Sequence, residues 1–143
     1  MKLTRMTFTA ATAAVLMLGT STQANAATLE LDTMTGVSSM ASCQAFSSHP
    51  AGDACYHAYG DYFYLRDQSG PGKVAVHWKL GDDSRRGLIR WAANDQFVIG
   101  VMNKNLPEGK QVGIRFGVCM TSSCDTLAEV NFEGSTWRWA STG

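Results

Sequence analysis

Three histidines (His49, His57 and His77), four cysteines and twelve carboxylates are the residues through which this 143-residue chain could do chemistry. Nucleophilic hydrolysis needs a Ser or Cys beside a base that an acid orients. No Ser stands in a Gly-x-Ser-x-Gly elbow. His77 falls on the polar face of a candidate strand beside Lys79, where a solvated or hydrogen-bonded ring is expected rather than a catalytic base. Glycoside hydrolysis needs two carboxylates about 5–9.5 Å apart. Twelve acids produce such a pair by chance, so its presence indicates nothing. Segment 67–72 carries Asp, Ser and Gly oxygens but lacks the alternating acids and closing Glu of a calcium loop, and reads as a hairpin turn. Gly70-Pro71-Gly72-Lys73 fails the spacing of a phosphate loop. No catalytic set assembles, and no cofactor or metal is called for.

Cys43, Cys55, Cys119 and Cys124 form an even set, which in a small exported domain reads as two disulfides. A zinc site would want Cys-x2-Cys knuckles and a His pair, and a redox site Cys-x-x-Cys; neither occurs. Proximity suggests Cys43–Cys55 and Cys119–Cys124. A long-range bridge such as Cys43–Cys119 would add more chain-entropy stabilisation, about 4.5 kcal/mol against roughly 2–3, so energy alone leaves it open. The strand pattern decides for the local pairs. Cys119 ends an alternating segment, Cys124 precedes the next, and 120–123 reads as the hairpin loop between them.

Trp137 and Trp139 share one strand face, with Arg138 opposite. Exposed tryptophans on a β face stack on sugar rings; buried ones pack small β cores, which is the expectation for Trp78 in line with Val74 and Val76. Gly113, Arg115 and Gly117 also share a face. Two glycines there leave a flat strip around one guanidinium, suited either to a ligand's close approach or to an aromatic ring laid across from a neighbouring strand. Trp137, Trp139 and Arg115 are therefore the candidate ligand or partner face.

The elements that must position these residues are short strands. Val74, Val76, Trp78 and Leu80 alternate with Ala75, His77 and Lys79; Val112, Ile114, Phe116 and Val118 alternate with Gly113, Arg115 and Gly117. Further strands are expected over 61–66, 87–92, 96–102, 127–132 and 136–140. Turn signals separate them at 67–72, 81–84, Asn94-Asp95 and 105–109. The chain is predicted to be all-β, an antiparallel sandwich or small barrel of about seven strands over residues 55–143. Residues 27–54 show no sustained period and read as an N-terminal arm tied down by the first disulfide.

Lys2 and Arg5, an apolar run from Phe8 to Gly19 and Ala24-Asn25-Ala26 make residues 1–26 an expected signal peptide, and the run is too short to span a bilayer. Without it ten basic residues face twelve acidic ones, about −2, which leaves no footprint for nucleic acid or an anionic membrane. No later stretch is apolar enough for a membrane span.

Cys55-Tyr56, Gly60-Asp61-Tyr62-Phe63-Tyr64, Val74-Ala75-Val76, Trp78, 105–109 and the run from Val112 to Cys119, closed by Cys124, together resemble a group of small secreted actinobacterial β-rich disulfide proteins of unassigned function. The resemblance implies export and a β-rich disulfide domain, and brings no site residue. The expected function is a secreted, non-enzymatic binding or interaction module, its partner a cell-wall glycan or an extracellular protein. The alternatives are an inhibitor of an extracellular protease or hydrolase, and a small secreted hydrolase or toxin.

Overall fold

The computed structural model describes residues 27–68, 73–91 and 98–143. The expected signal segment, the tip of the 67–72 turn, residue 92, the Asn94-Asp95 turn and the start of the 96–102 strand lie outside the described residues. Eleven strands follow in chain order: β1 (Leu29–Thr33), β2 (Gly36–Val37), β3 (Ala45–His49), β4 (Gly52–His57), β5 (Tyr62–Asp67), β6 (Val74–Leu80), β7 (Arg86–Trp91), β8 (Ile99–Asn103), β9 (Gln111–Cys119), β10 (Val130–Asn131) and β11 (Arg138–Ser141). They form two sheets, as expected for an all-β sandwich. One runs β1-β7-β6-β9-β10, with β11 also on β9; the other runs β2-β8-β5-β4-β3. Among the described residues every pairing is antiparallel except β1 with β7.

Alternation in the central strands builds the core. Val74, Val76, Trp78 and Leu80 of β6 and Val112, Ile114 and Phe116 of β9 point toward the second sheet, where Tyr56, Phe63 and Leu65 meet them. Phe63 packs on Trp78 with ring centroids 5.9 Å apart. Trp78 is fully buried, the packing role expected for it. Burying such a side chain contributes about 2–3 kcal/mol.

Four of the eleven strands start within residues 27–54, the stretch expected as an arm. β1 pairs in register with β7, from Leu29 opposite Arg86 to Thr33 opposite Arg90, and β3 and β4 form the far edge of the second sheet. The segment shows no alternation because the buried run of β4 holds small and polar residues on both faces and β3 turns Ala45 and Ser47 inward. Ser47 has a specific task. Along the outer edge of β9, β11 pairs with residues 111–114 and β10 with 118–119. The Phe116 N–H lies in the gap and donates to Ser47 Oγ at 3.1 Å.

The segment 127–132, expected as a strand, is instead a 3-10 turn over Leu127–Glu129 followed by the two-residue β10. Thr126 and Glu129 form a capping box, which favours a helical start over an extended chain. Both disulfides are the local ones, Cys43–Cys55 with Cα atoms 5.4 Å apart and Cys119–Cys124 at 5.5 Å. The second closes the loop ahead of the 3-10 turn rather than the mouth of a hairpin, because Cys124 sits outside any strand at φ 54°.

Candidate functional site

The outer face of the first sheet carries three rows set by strand register. β6 pairs with β9 so that Lys79 lies opposite Gly113, His77 opposite Arg115 and Ala75 opposite Gly117. On the far side of β9, Trp139 of β11 lies opposite Gly113 and Arg138 opposite Ile114, and continuing that register by one residue brings Trp137 to Arg115. β10 places Val130 opposite Cys119, which carries Phe132 toward Gly117.

The glycines are explained by these neighbours. A Cβ on Gly113 would come within 2.8–2.9 Å of three ring atoms of Trp139, and one on Gly117 would meet first Val130 Cγ1 and then, at 2.7 Å, the Phe132 ring. Of the two readings of the glycine strip, an aromatic ring laid across from a neighbouring strand is the arrangement present. The ring on Gly113 is not sealed in, since Trp139 keeps 44% of its surface exposed. Trp137 is half-buried beside it, its ring centroid 5.9 Å away and its plane tilted by 28°.

Between the rings stands Arg115. Its guanidinium carbon is 3.9 Å from the Phe132 centroid and 4.9 Å from that of Trp137, a cation held between two π faces. Nε donates to His77 Nδ1 at 3.2 Å. Among the described residues the guanidinium has no carboxylate partner. Lys79 Nζ lies 5.5 Å from Trp137 and 5.8 Å from Trp139, and pairs with Asp83 at 3.0 Å. The three predicted face residues are thus together on one surface, with Lys79, Phe132 and His77 completing it. Phe132 was not anticipated; the signal that would have found it is Gly117, a strand glycine in need of a covering ring.

His77 is buried, and burial together with the positive charges of Arg115, Arg86 and Lys79 lowers its pKa to about 4. At neutral pH the ring is uncharged, which leaves Nδ1 free to accept from Arg115. Nε2 is buried without a hydrogen-bond partner among the described residues, and the Trp137 ring stands edge-on at 4.9 Å. His57 Nδ1 contacts the Ser42 carbonyl at 2.7 Å. Neither histidine meets a carboxylate among the described residues, and no three of His, Cys, Asp and Glu converge there to hold a metal ion.

Two other polar groupings are internal. Lys104 Nζ reaches Glu30 at 2.8 Å and Asp32 at 2.7 Å, Arg85 joins Glu30 at 2.8 Å, and both cations lie over the Trp78 ring. Arg85 first, then Lys104, holds the Glu30 carboxyl at about 2 against its burial. Adjoining that cluster, where the Asn105 carbonyl accepts from Arg85 at 3.4 Å, a pocket of about 370 Å³ is lined by Tyr59, Gly60, Asp61, Asn105 and Glu108 among others. Its Asp61 carboxylate is occupied, accepting from Tyr56 Oη at 2.6 Å and from the Leu106 N–H at 2.8 Å.

Among the described residues no helix is long and apolar enough to cross a membrane, and two disulfides are compatible with an extracellular location. Comparison with protein-family models, with curated proteins and with solved structures finds no match to this chain.

Proposed function

We propose that this protein is a secreted, non-enzymatic binding module whose contact surface is the outer face of the first sheet around Trp137, Trp139 and Arg115, and whose ligand is a glycan. The observation that carries the reading is Trp139, laid flat across Gly113 yet almost half exposed, beside a second tryptophan in a nearly parallel plane. A large apolar ring held rigid from below stacks on the C–H face of a sugar with little further loss of entropy. The resemblance to small secreted disulfide proteins and the signal-like residues 1–26 support work outside the cell. Tryptophan emission of the protein lacking residues 1–26, titrated with soluble polysaccharides, tests this together with co-sedimentation on insoluble cell-wall glycans and chitin. Binding that Trp139→Ala abolishes supports the reading. Retention unaffected by that substitution sinks it.

One observation favours a second reading, inhibition of an extracellular protease. Met120 is 61% exposed at the head of the loop closed by Cys119–Cys124. Glu129 braces that loop by accepting from Thr121 and Ser123. A rigid loop of this kind docks at low entropic cost. Stoichiometric inhibition of a secreted protease, lost on Met120→Gly, would favour this reading; cleavage of the protein without inhibition would remove it.

A further inference from the structure

We infer that the glycan taken by this face is an acidic one, a polymer of carboxylate-bearing sugars, with Arg115 as the residue that recognises the carboxylate. The inference rests on the glycan reading above and adds the chemical class. The half-buried Arg115 guanidinium has two aromatic faces and the neutral His77 ring as its neighbours and no carboxylate partner among the described residues, which leaves its charge available to an anionic group of a ligand. Those rings fix its plane, and the Nε bond to neutral His77 fixes its rotation, so the two Nη groups form a preset fork next to Trp137. A planar fork of N–H donors matches the two oxygens of a carboxylate in a bidentate pair. The exposed ring of Trp139, one row along the strand, then takes the face of the adjoining sugar.

Charge elsewhere argues against a densely sulfated ligand. Residues 27–143 carry ten basic and twelve acidic side chains, so there is no field to hold a polymer with several charges on every sugar. Lys79, the neighbouring cation, is already paired with Asp83. One free guanidinium beside stacking rings suits one charge per sugar.

The test uses the wild-type protein lacking residues 1–26 and three probes at equal ionic strength: polygalacturonate, the same polymer with its carboxyl groups reduced to alcohols, and heparin. Binding is read by calorimetry or tryptophan emission. The expected result is binding to polygalacturonate, weakened about tenfold or more on carboxyl reduction, the loss of one charge-assisted pair. Arg115→Gln should bring both polymers to the same weak affinity, with near-UV circular dichroism reporting that the tryptophans keep their packing. Equal binding of native and reduced polymer overturns the acidic assignment while leaving the stacking reading intact. Tighter binding of heparin with a steep salt dependence overturns it as plain ion exchange. No binding to any of the three overturns the acidic assignment, and the neutral glycans of the previous test then decide the broader reading. Because the comparison of the two polymers needs no variant, a poorly folding Arg115→Gln would not rescue the inference.

Discussion

Acidification should destabilise this protein in a window set by one histidine. His77 is held at about 4 in the folded chain, against 6.5 for an unperturbed imidazole, first by burial and then by Arg115 on β9, Arg86 on β7 and Lys79 on its own strand. Between these values the unfolded chain binds a proton that the folded chain refuses. Stability is therefore complete above about 6.5 and falls as the pH drops toward 4. The linkage relation puts the loss at about 1.4 kcal/mol by pH 5.5 and about 2.5 by pH 4.5. That is a large share of the 5–15 kcal/mol usual for a domain. Glu30, held near 2, begins to lose its own contribution only below about 4.5 and leaves this window clear. Urea unfolding followed by tryptophan emission at four pH values from 7.5 to 4.5 measures the effect. His77→Gln is the control, since its amide oxygen can still accept from Arg115 but cannot titrate. The wild type should lose stability through the window, and the variant should lose about 2 kcal/mol less. Parallel profiles for the two proteins would refute the argument.

Three other outcomes follow from packing and cross-links. Gly113→Ala should displace Trp139 from β9, costing roughly 1–3 kcal/mol by overpacking and lowering the near-UV circular dichroism signal of the tryptophans. Cys119→Ser with Cys124→Ser should cost about 2 kcal/mol and Cys43→Ser with Cys55→Ser about 3, as read from denaturation midpoints, the longer closed loop giving the larger loss. Glu129→Gln should leave the fold intact but speed amide exchange at Asp125 and Thr126, whose N–H groups donate to its carboxylate at 2.8 and 2.9 Å.

Where a strand sets large apolar residues on the core and small or polar ones on its other face, its residues announced it. β6 and β9 alternate over their length, and from them the sandwich, the local disulfides and the shared face of Gly113, Arg115 and Gly117 could be read. β4 could not, because its buried run Gly52, Asp53, Ala54 and Cys55 holds small and polar residues on both faces and so carries no period-two contrast. β1 is short and runs parallel to a strand 57 positions later, a pairing no local signal carries. The Thr126-to-Glu129 capping box was present in the sequence and outweighed the apolar residues Leu127 and Phe132. At the site, two of the three rings were visible as Trp137 and Trp139. What covers Arg115 depends on β10 and β11 dividing one edge of β9, a register that only the folded chain displays.

That division of β9 bears on how copies of this protein behave at high concentration. An uncovered strand edge nine residues long is a template on which another chain can add by backbone pairing. Here β11 occupies one end, β10 the other, and the Ser47 hydroxyl takes the Phe116 N–H left between them. A single side chain from the opposite sheet thus finishes a seal that two short strands begin. Ser47 is buried, so solvent has little access to the gap it closes. Its hydroxyl guards the solubility of the chain as well as one hydrogen bond. Ser47→Ala would open a foothold for strand addition in the middle of the sheet's longest strand, and self-association on storage would be its first symptom.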